Sequence, residues 1–209
     1  MDNRAKYIRL TACVLGLLTL AGASNSAFAY TEKTLRAFCQ ERKCADGSHP
    51  HDLAMDQSGN LYGVTDSGGK HQGGSVFEYT PSTGAYNVLY SFCKEANCAD
   101  GRFPYRVKLV IDAAGNLYGT TGEYGPNSSF GGVVFELVRG ESGWQYKILY
   151  AFCAEVNCAD GGGPATGVTY VGASTDAPYD GVSPLYGTTA FEGPYGRGVV
   201  FELMPGKSG

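Results

Sequence analysis

The chain has 209 residues, with 20 acidic against 16 basic side chains, a formal net charge of −4 and 31 glycines. That length suits one domain with its own core, and an acidic balance without basic clusters argues against nucleic acid and anionic membrane surfaces as partners. High Gly and Tyr content, with no helix-period pattern after the N-terminal leader, points to an all-β protein with many tight turns.

The first element is a targeting segment. Arg4, Lys6 and Arg9 precede the apolar run "LTACVLGLLTLAGA", which is too short to span a bilayer easily, and "AFA" at Ala27–Ala29 offers small residues for cleavage. Residues 1–29 are therefore read as an export signal and 30–209 as the mature domain. "LTAC" at Cys13 imitates a lipidation box but lacks the apolar run such a box needs. Without the leader, 13 basic residues face 19 acidic ones, a net charge of about −6.

The mature chain opens with "YTEKTLRAF" and then "CQERKCADG". This cysteine loop returns in "LYSFCKEANCADG" and "LYAFCAEVNCADG", always C-x4-C followed by Ala-Asp-Gly. After each loop comes a period-2 strand ("HDLAMD", "RVKLVID", "GVTYVG"), then a turn ("DQSGN", "DAAGN") in which Asp caps and Gly-Asn supplies positive φ. "LYGVT", "LYGTT" and "LYGTT" read as second strands. Gly-rich loops lead to third strands, "SVFEY", "VVFEL" and "VVFEL". Turns "TPSTG" and "RGESG" lead to fourth strands, "YNVLYSF" and "YKILYAF". The landmarks recur about every 54 to 68 residues. Four antiparallel strands per unit, in series, is the pattern of propeller blades. The expected fold is all-β and propeller-like, with about three four-stranded blades, or a fragment of a larger propeller.

Two expectations concern the ends of this array. The N-terminal "TLRAF" resembles the end of a fourth strand, so Leu35–Phe38 is expected to pair with Val199–Leu203 and complete the last blade. The third copy replaces the short first turn by "GASTDAPYDGVSP", read as a loop and not a fifth strand, and removal of 174–181 is expected to leave the fold intact.

The recurring spacing in an exported chain favours local disulfides, Cys39–Cys44, Cys93–Cys98 and Cys153–Cys158, over a metal array. Asp46, Asp100 and Asp160 each offer one carboxylate, where a calcium loop wants several oxygens, so they read as turn residues. Glu78, Glu136 and Glu202 recur once per unit and read as hydrogen-bonding residues rather than an acid–base pair. His49, His51 and His71 are the only histidines; "HPH" imitates a zinc half-site, but its counterparts are Phe103 and Tyr105, then Gly163 and Ala165, so no metal site is assigned to it. The Gly-rich stretches match neither a phosphate loop nor a nucleophile elbow. The variable loops 66–74, 122–132 and 190–198 hold Tyr124, Phe130, Phe191 and Tyr195, aromatics suited to stacking on sugars or protein partners.

The run from "LYSFC" through "GNLYGTT" to "GGVVFEL" resembles the GloVer tandem repeat of secreted bacterial proteins described as choice-of-anchor repeat proteins. The resemblance covers nearly all of 30–209 and implies export and a propeller-like architecture. It carries no established activity and no catalytic residues. This sequence departs from the pattern in "LYGVT" of the first copy and in the long third-copy insertion. The expected function is a secreted, periplasmic or cell-surface binding scaffold without a cofactor. A glycan or an extracellular protein is the expected partner, self-association is weighed beside it, and no stable membrane insertion is expected after cleavage. The alternative is an extracellular carbohydrate-active hydrolase or lyase, which needs convergent carboxylates.

Overall fold

A computed structural model describes residues 30–175 and 177–206 of the chain. The expected signal segment and the Cys13 box lie outside the described residues. The chain divides between Lys33 and Thr34 into two units. Of the first unit, 30–33 is described, an exposed stretch without secondary structure. Every strand described below belongs to the second, Thr34–Gly209.

Three four-stranded antiparallel sheets follow one another along the chain. The first contains β1 (Ser48–Met55), β2 (Leu61–Ser67), β3 (Ser75–Thr80) and β4 (Ala85–Ser91), in that spatial order. The second contains β5 (Val110–Ile111), β6 (Leu117–Thr121), β7 (Val133–Gly140) and β8 (Gly143–Ala151), again in sequence. The third has β9 (Gly162–Pro164) and β10 (Thr169–Tyr170) side by side along β11 (Leu185–Phe191), with β12 (Val200–Leu203) beyond it. The fold is all-β and propeller-like, and the array is not closed.

The repeated letters have one physical job in each sheet. Asp56 accepts N–H bonds from Ser58 and Asn60 at 2.9 Å, which tightens the β1–β2 turn. Asp112 does the same for Ala114 and Asn116. The "LYG" and "VFE" segments pair so that each tyrosine faces its glutamate: Tyr62 with Glu78, Tyr118 with Glu136, Tyr186 with Glu202. The phenol hydroxyls donate to these carboxylates at 2.8, 3.0 and 2.9 Å. The glycine after each tyrosine gives room to the phenylalanine opposite. A Cβ at Gly63 or Gly119 would lie 2.6 or 2.7 Å from the ring of Phe77 or Phe135, too close for any side chain.

Sheets pack on their neighbours through two buried clusters. Tyr62, Val64 and Val76 of the first sheet meet Leu109, Leu117 and Phe135 of the second. Tyr118 and Val134 of the second meet Val168 and Leu185 of the third. The phenylalanine before each cysteine loop crosses to the next sheet: Phe92 reaches Phe135 at 5.2 Å and Phe152 reaches Phe201 at 5.0 Å, both edge to face. Burial of each such ring contributes about 2–3 kcal/mol at the usual area coefficient, so a sheet draws much of its stability from its neighbour.

One expectation fails, and a second holds only in part. Leu35–Phe38 does not pair with Val199–Leu203. The segment belongs to no sheet, and Phe38 instead packs on Phe77 and Tyr86 of the first sheet at 5.1 and 5.8 Å. Its residues carry the cysteine loop that leads directly into β1, which ties them to the first sheet. The third-copy insertion is not a fifth strand, as expected, but it is not dispensable decoration either. Tyr179 is 1% exposed, exchanges backbone hydrogen bonds with Ile111 and Ala113 of the second repeat, and packs on Tyr118 at 5.0 Å. The loop therefore supplies core. The first strands of the second and third copies are also shorter than their alternation predicts, two residues each in β5 and β10.

Candidate functional site: the disulfide rim

The cysteine loops are built three times to one plan. Each contains a local disulfide, Cys39–Cys44, Cys93–Cys98 and Cys153–Cys158. The backbone between the cysteines makes a single tight turn containing a left-handed residue, Lys43, Asn97 or Asn157, at φ 58°, 55° and 56°. Asparagine tolerates this region and lysine does so less readily. The aspartate of "ADG" turns back into the loop. Asp100 accepts the N–H groups of Lys94 and Glu95 at 3.0 and 3.1 Å and the hydroxyl of Tyr90 at 2.7 Å. Asp160 repeats this with Ala154, Glu155 and Tyr150. Asp46 repeats it with Gln40, Glu41 and the guanidinium of Arg36.

These bonds decide the role of the aspartates. Burial pushes the Asp46 carboxyl up, but the N–H groups of Glu41 and Gln40 and the Arg36 guanidinium outweigh it and hold the group below the ordinary value. Asp160 is likewise held low against burial, by the N–H of Ala154, the hydroxyl of Tyr150 and the N–H of Glu155. The partner Tyr150 hydroxyl is pushed up to about 12, by burial first and then by the Asp160 carboxylate. The carboxylate oxygens of all three loops are committed to holding the loop shape, as the turn reading expects.

The variable loops lean on this framework and form one rim with it. Gly69 and Gly193 donate their N–H groups to the carbonyls of Cys44 and Cys158 at 2.9 Å. Gly163, just past the third cysteine loop, donates to Gly131 at 2.8 Å. Phe130 is 70% exposed, Phe191 64% and Tyr195 93%. Phe130 and Phe191 flank the Gly162–Gly163 step: a Cβ at Gly162 would press on the Phe130 carbonyl, and one at Gly163 on the Phe191 ring. Tyr124 is half-buried, with the Arg102 guanidinium 5.8 Å from its ring centre.

Two of the three histidines, His49 and His51, answer to one carboxylate. His49 Nδ1 and His51 Nε2 lie 3.4 and 3.2 Å from Asp66, and His49 also meets the Ser67 hydroxyl at 2.9 Å. Among the described residues no group of three His, Cys, Asp or Glu side chains is arranged to hold a metal ion. Glu78, Glu136 and Glu202 are spaced one per sheet along the array, each held by its tyrosine.

Sequence reasoning missed two surfaces. A groove of about 1120 Å³ runs between the outer strands β4 and β8, with Tyr90 stacked on Tyr146 at 4.3 Å and Trp144, Lys70 and Lys94 along it. Tyrosines in a period-2 strand read as core, so only the gap between two sheets reveals them. A second cavity, about 920 Å³, follows the inner strands past Leu53, Met55, Lys108 and Tyr170.

With three sheets of one plan in hand, the comparison with known families is direct. The Gloeobacter/Verrucomicrobia repeat family matches residues 21–179. The chain belongs to this family. No curated protein matches it. As a Gloeobacter/Verrucomicrobia repeat protein it is a repeat module, and the first two sheets lie wholly within the matched residues. Among the described residues no helix is long and apolar enough to cross a membrane.

Proposed function

We propose that the protein is an exported repeat scaffold that binds a glycan or an extracellular protein through the aromatics of its disulfide rim. The carrying observation is the exposure of Phe130, Phe191 and Tyr195 on loops anchored to stapled, hydrogen-bonded turns. Such loops lose little entropy on binding, because their framework is already ordered. Three local disulfides fit an oxidising compartment, and export with cleavage after Ala29 accounts for the leader. The repeated carboxylates engage tyrosines and backbone amides, which favours binding over the hydrolase or lyase reading.

A glycan array followed by calorimetry on the hits tests this reading. Phe130→Ala and Phe191→Ala are expected to weaken a hit at least about tenfold, the loss of one stacked ring. Equal affinity of wild type and both variants would dismiss the rim as the binding surface. A turnover assay on the same hits addresses the enzyme reading, and product release from any of them would favour it.

A further inference from the structure

The rim of the second repeat holds its backbone in a way that the other two do not. Outside the cysteine loops, six non-glycine residues among those described have positive φ, and three of them belong here: Phe103, Arg106 and Tyr124, at 63°, 54° and 60°. A bulky side chain in this left-handed region strains the backbone, where glycine does not. The other repeats use relaxed alternatives. Gly163 fills the Phe103 position and Gly68 the Tyr124 position, while Asp52 and Thr166, the counterparts of Arg106, stay out of the region. His49 and Glu192 carry strain at single positions, and the second repeat alone strains all three. Such strain gathers at ligand clamps, where a displayed side chain matters more than an easy backbone.

The strained side chains are ordered. The Tyr105 N–H donates to the Phe103 carbonyl at 2.8 Å across Pro104. This three-residue turn brings the Phe103 and Tyr105 rings together, 5.9 Å between centres and 21° from parallel. His51 of the first repeat packs edge-on against Tyr105 at 5.1 Å and meets Asp66 at 3.2 Å. The Arg106 guanidinium lies 5.1 Å from the Tyr105 ring centre. Arg102, bridged to Glu123 through the backbone, places its guanidinium near the Tyr124 ring. Among the described residues neither guanidinium donates a hydrogen bond or has a carboxylate, Glu123 included, within 4.0 Å. Arg36 differs, its guanidinium being committed to Asp46 at 2.7 Å. Two cations are therefore held over aromatic rings with their donor forks free.

The complement of this surface is an anion that also carries apolar C–H groups. We propose that the Arg102–Arg106 turn and Tyr124 form a subsite for an acidic saccharide. Uronate carboxylates pair with Arg102 and Arg106, and a sugar ring rests against the Phe103–Tyr105 pair. A carboxylate matches the guanidinium fork through two parallel hydrogen bonds, and the rings cover the C–H face of the sugar. A neutral sugar leaves both charges unanswered. His51 and Asp66 act as positioning residues behind Tyr105. This inference rests on the glycan reading above and names the class of glycan.

The test is calorimetry of the full chain with tetrameric uronates of several linkages, galacturonate and mannuronate among them, against neutral tetramers. A uronate is expected to bind at least about tenfold more tightly than its neutral counterpart and to weaken with added salt. Arg106→Gly removes the guanidinium and relaxes the left-handed backbone, so it should lose about tenfold in uronate affinity while melting no lower than wild type. Arg102→Gln should weaken uronate binding likewise. Uronate and neutral tetramers bound alike, uronate affinity unchanged in both arginine variants, or an Arg106→Gly protein that melts well below wild type would each overturn the inference. Uronate affinity lost in Phe130→Ala and Phe191→Ala but kept in both arginine variants would overturn it and leave the rim reading standing. Absence of binding to any glycan would remove it together with the glycan reading.

Discussion

The second and third sheets carry nearly the same letters and have different surroundings. "VVFEL" is buried at Val133, Val134, Phe135 and Leu137 in β7, while in β12 Val200 and Glu202 are exposed and Phe201 and Leu203 half-buried. The second sheet has a neighbour on each side and a full fourth strand; among the described residues the third has a neighbour on one side only. The difference teaches that burial in this fold is set by position in the array. A repeat encodes two half-cores, and each needs the next unit to become a core.

The largest expected effect sharpens this contrast. Phe135→Ala removes a fully buried ring packed on Phe92 and Tyr146 and is expected to cost about 3–5 kcal/mol. Phe201→Ala, at the matching position of the third sheet, should cost less than about half of that, because its ring is only half-buried. Urea unfolding of both variants reads the difference, and equal costs would break the comparison.

Next in size is the third-copy insertion, which places Tyr179 in the core shared by the second and third sheets. Tyr179→Ala empties a site walled by Tyr118 and Tyr170 and is expected to cost about 3 kcal/mol. Tyr179→Phe removes only the hydroxyl bonded to the Ser183 carbonyl and should cost about 1 kcal/mol. A loss below about 0.5 kcal/mol in Tyr179→Ala, the range of ordinary surface substitutions, would return the loop to the surface.

The cysteine loops are the part in which first and third repeats agree, and their aspartates predict an acid limb of stability. Folding lowers the pKa values of Asp46 and Asp160 below the ordinary 3.8. The unfolded chain therefore binds more protons, and stability rises with pH through this window. The contribution is complete above the unfolded value and drains as pH falls through the folded one. Asp160→Asn loses one acceptor for the Ala154 and Glu155 amides, at an expected cost of about 1–2 kcal/mol near neutral pH. Melting curves of wild type and variant should begin to approach each other below about pH 4 and meet only below the lowered folded pKa; a gap that stays constant into strong acid would refute the charge argument.

The smallest effect separates the first loop from its copies. Lys43 occupies the left-handed position that Asn97 and Asn157 fill elsewhere. Lys43→Asn is expected to stabilise the protein by a few tenths of a kcal/mol, up to about 1. A destabilised variant would mean that the lysine side chain does more in its loop than its backbone shows.

What could be read from residues alone was everything that repeats. The cysteine spacing, the "LYG" and "VFE" strands and the Asp–Gly–Asn turns are local, and each has a short-range cause: a positive φ, a cross-strand Tyr–Glu bond, a glycine beneath a ring. From these the all-β class, the four-strand order and the pairing of cysteines within each loop were legible. Tertiary structure alone decided what happens between repeats. Whether Leu35–Phe38 closes onto β12 or rests on the first sheet depends on where the array's two ends stand. Tyr90, Trp144 and Tyr146 line a groove because two sheets diverge there, and Tyr179 becomes core because Tyr118 leaves space for it. Hydrophobic patterning tells which face of a strand turns inward, but it carries no term for the neighbour on that face, and in a stacked array the neighbour sets the burial.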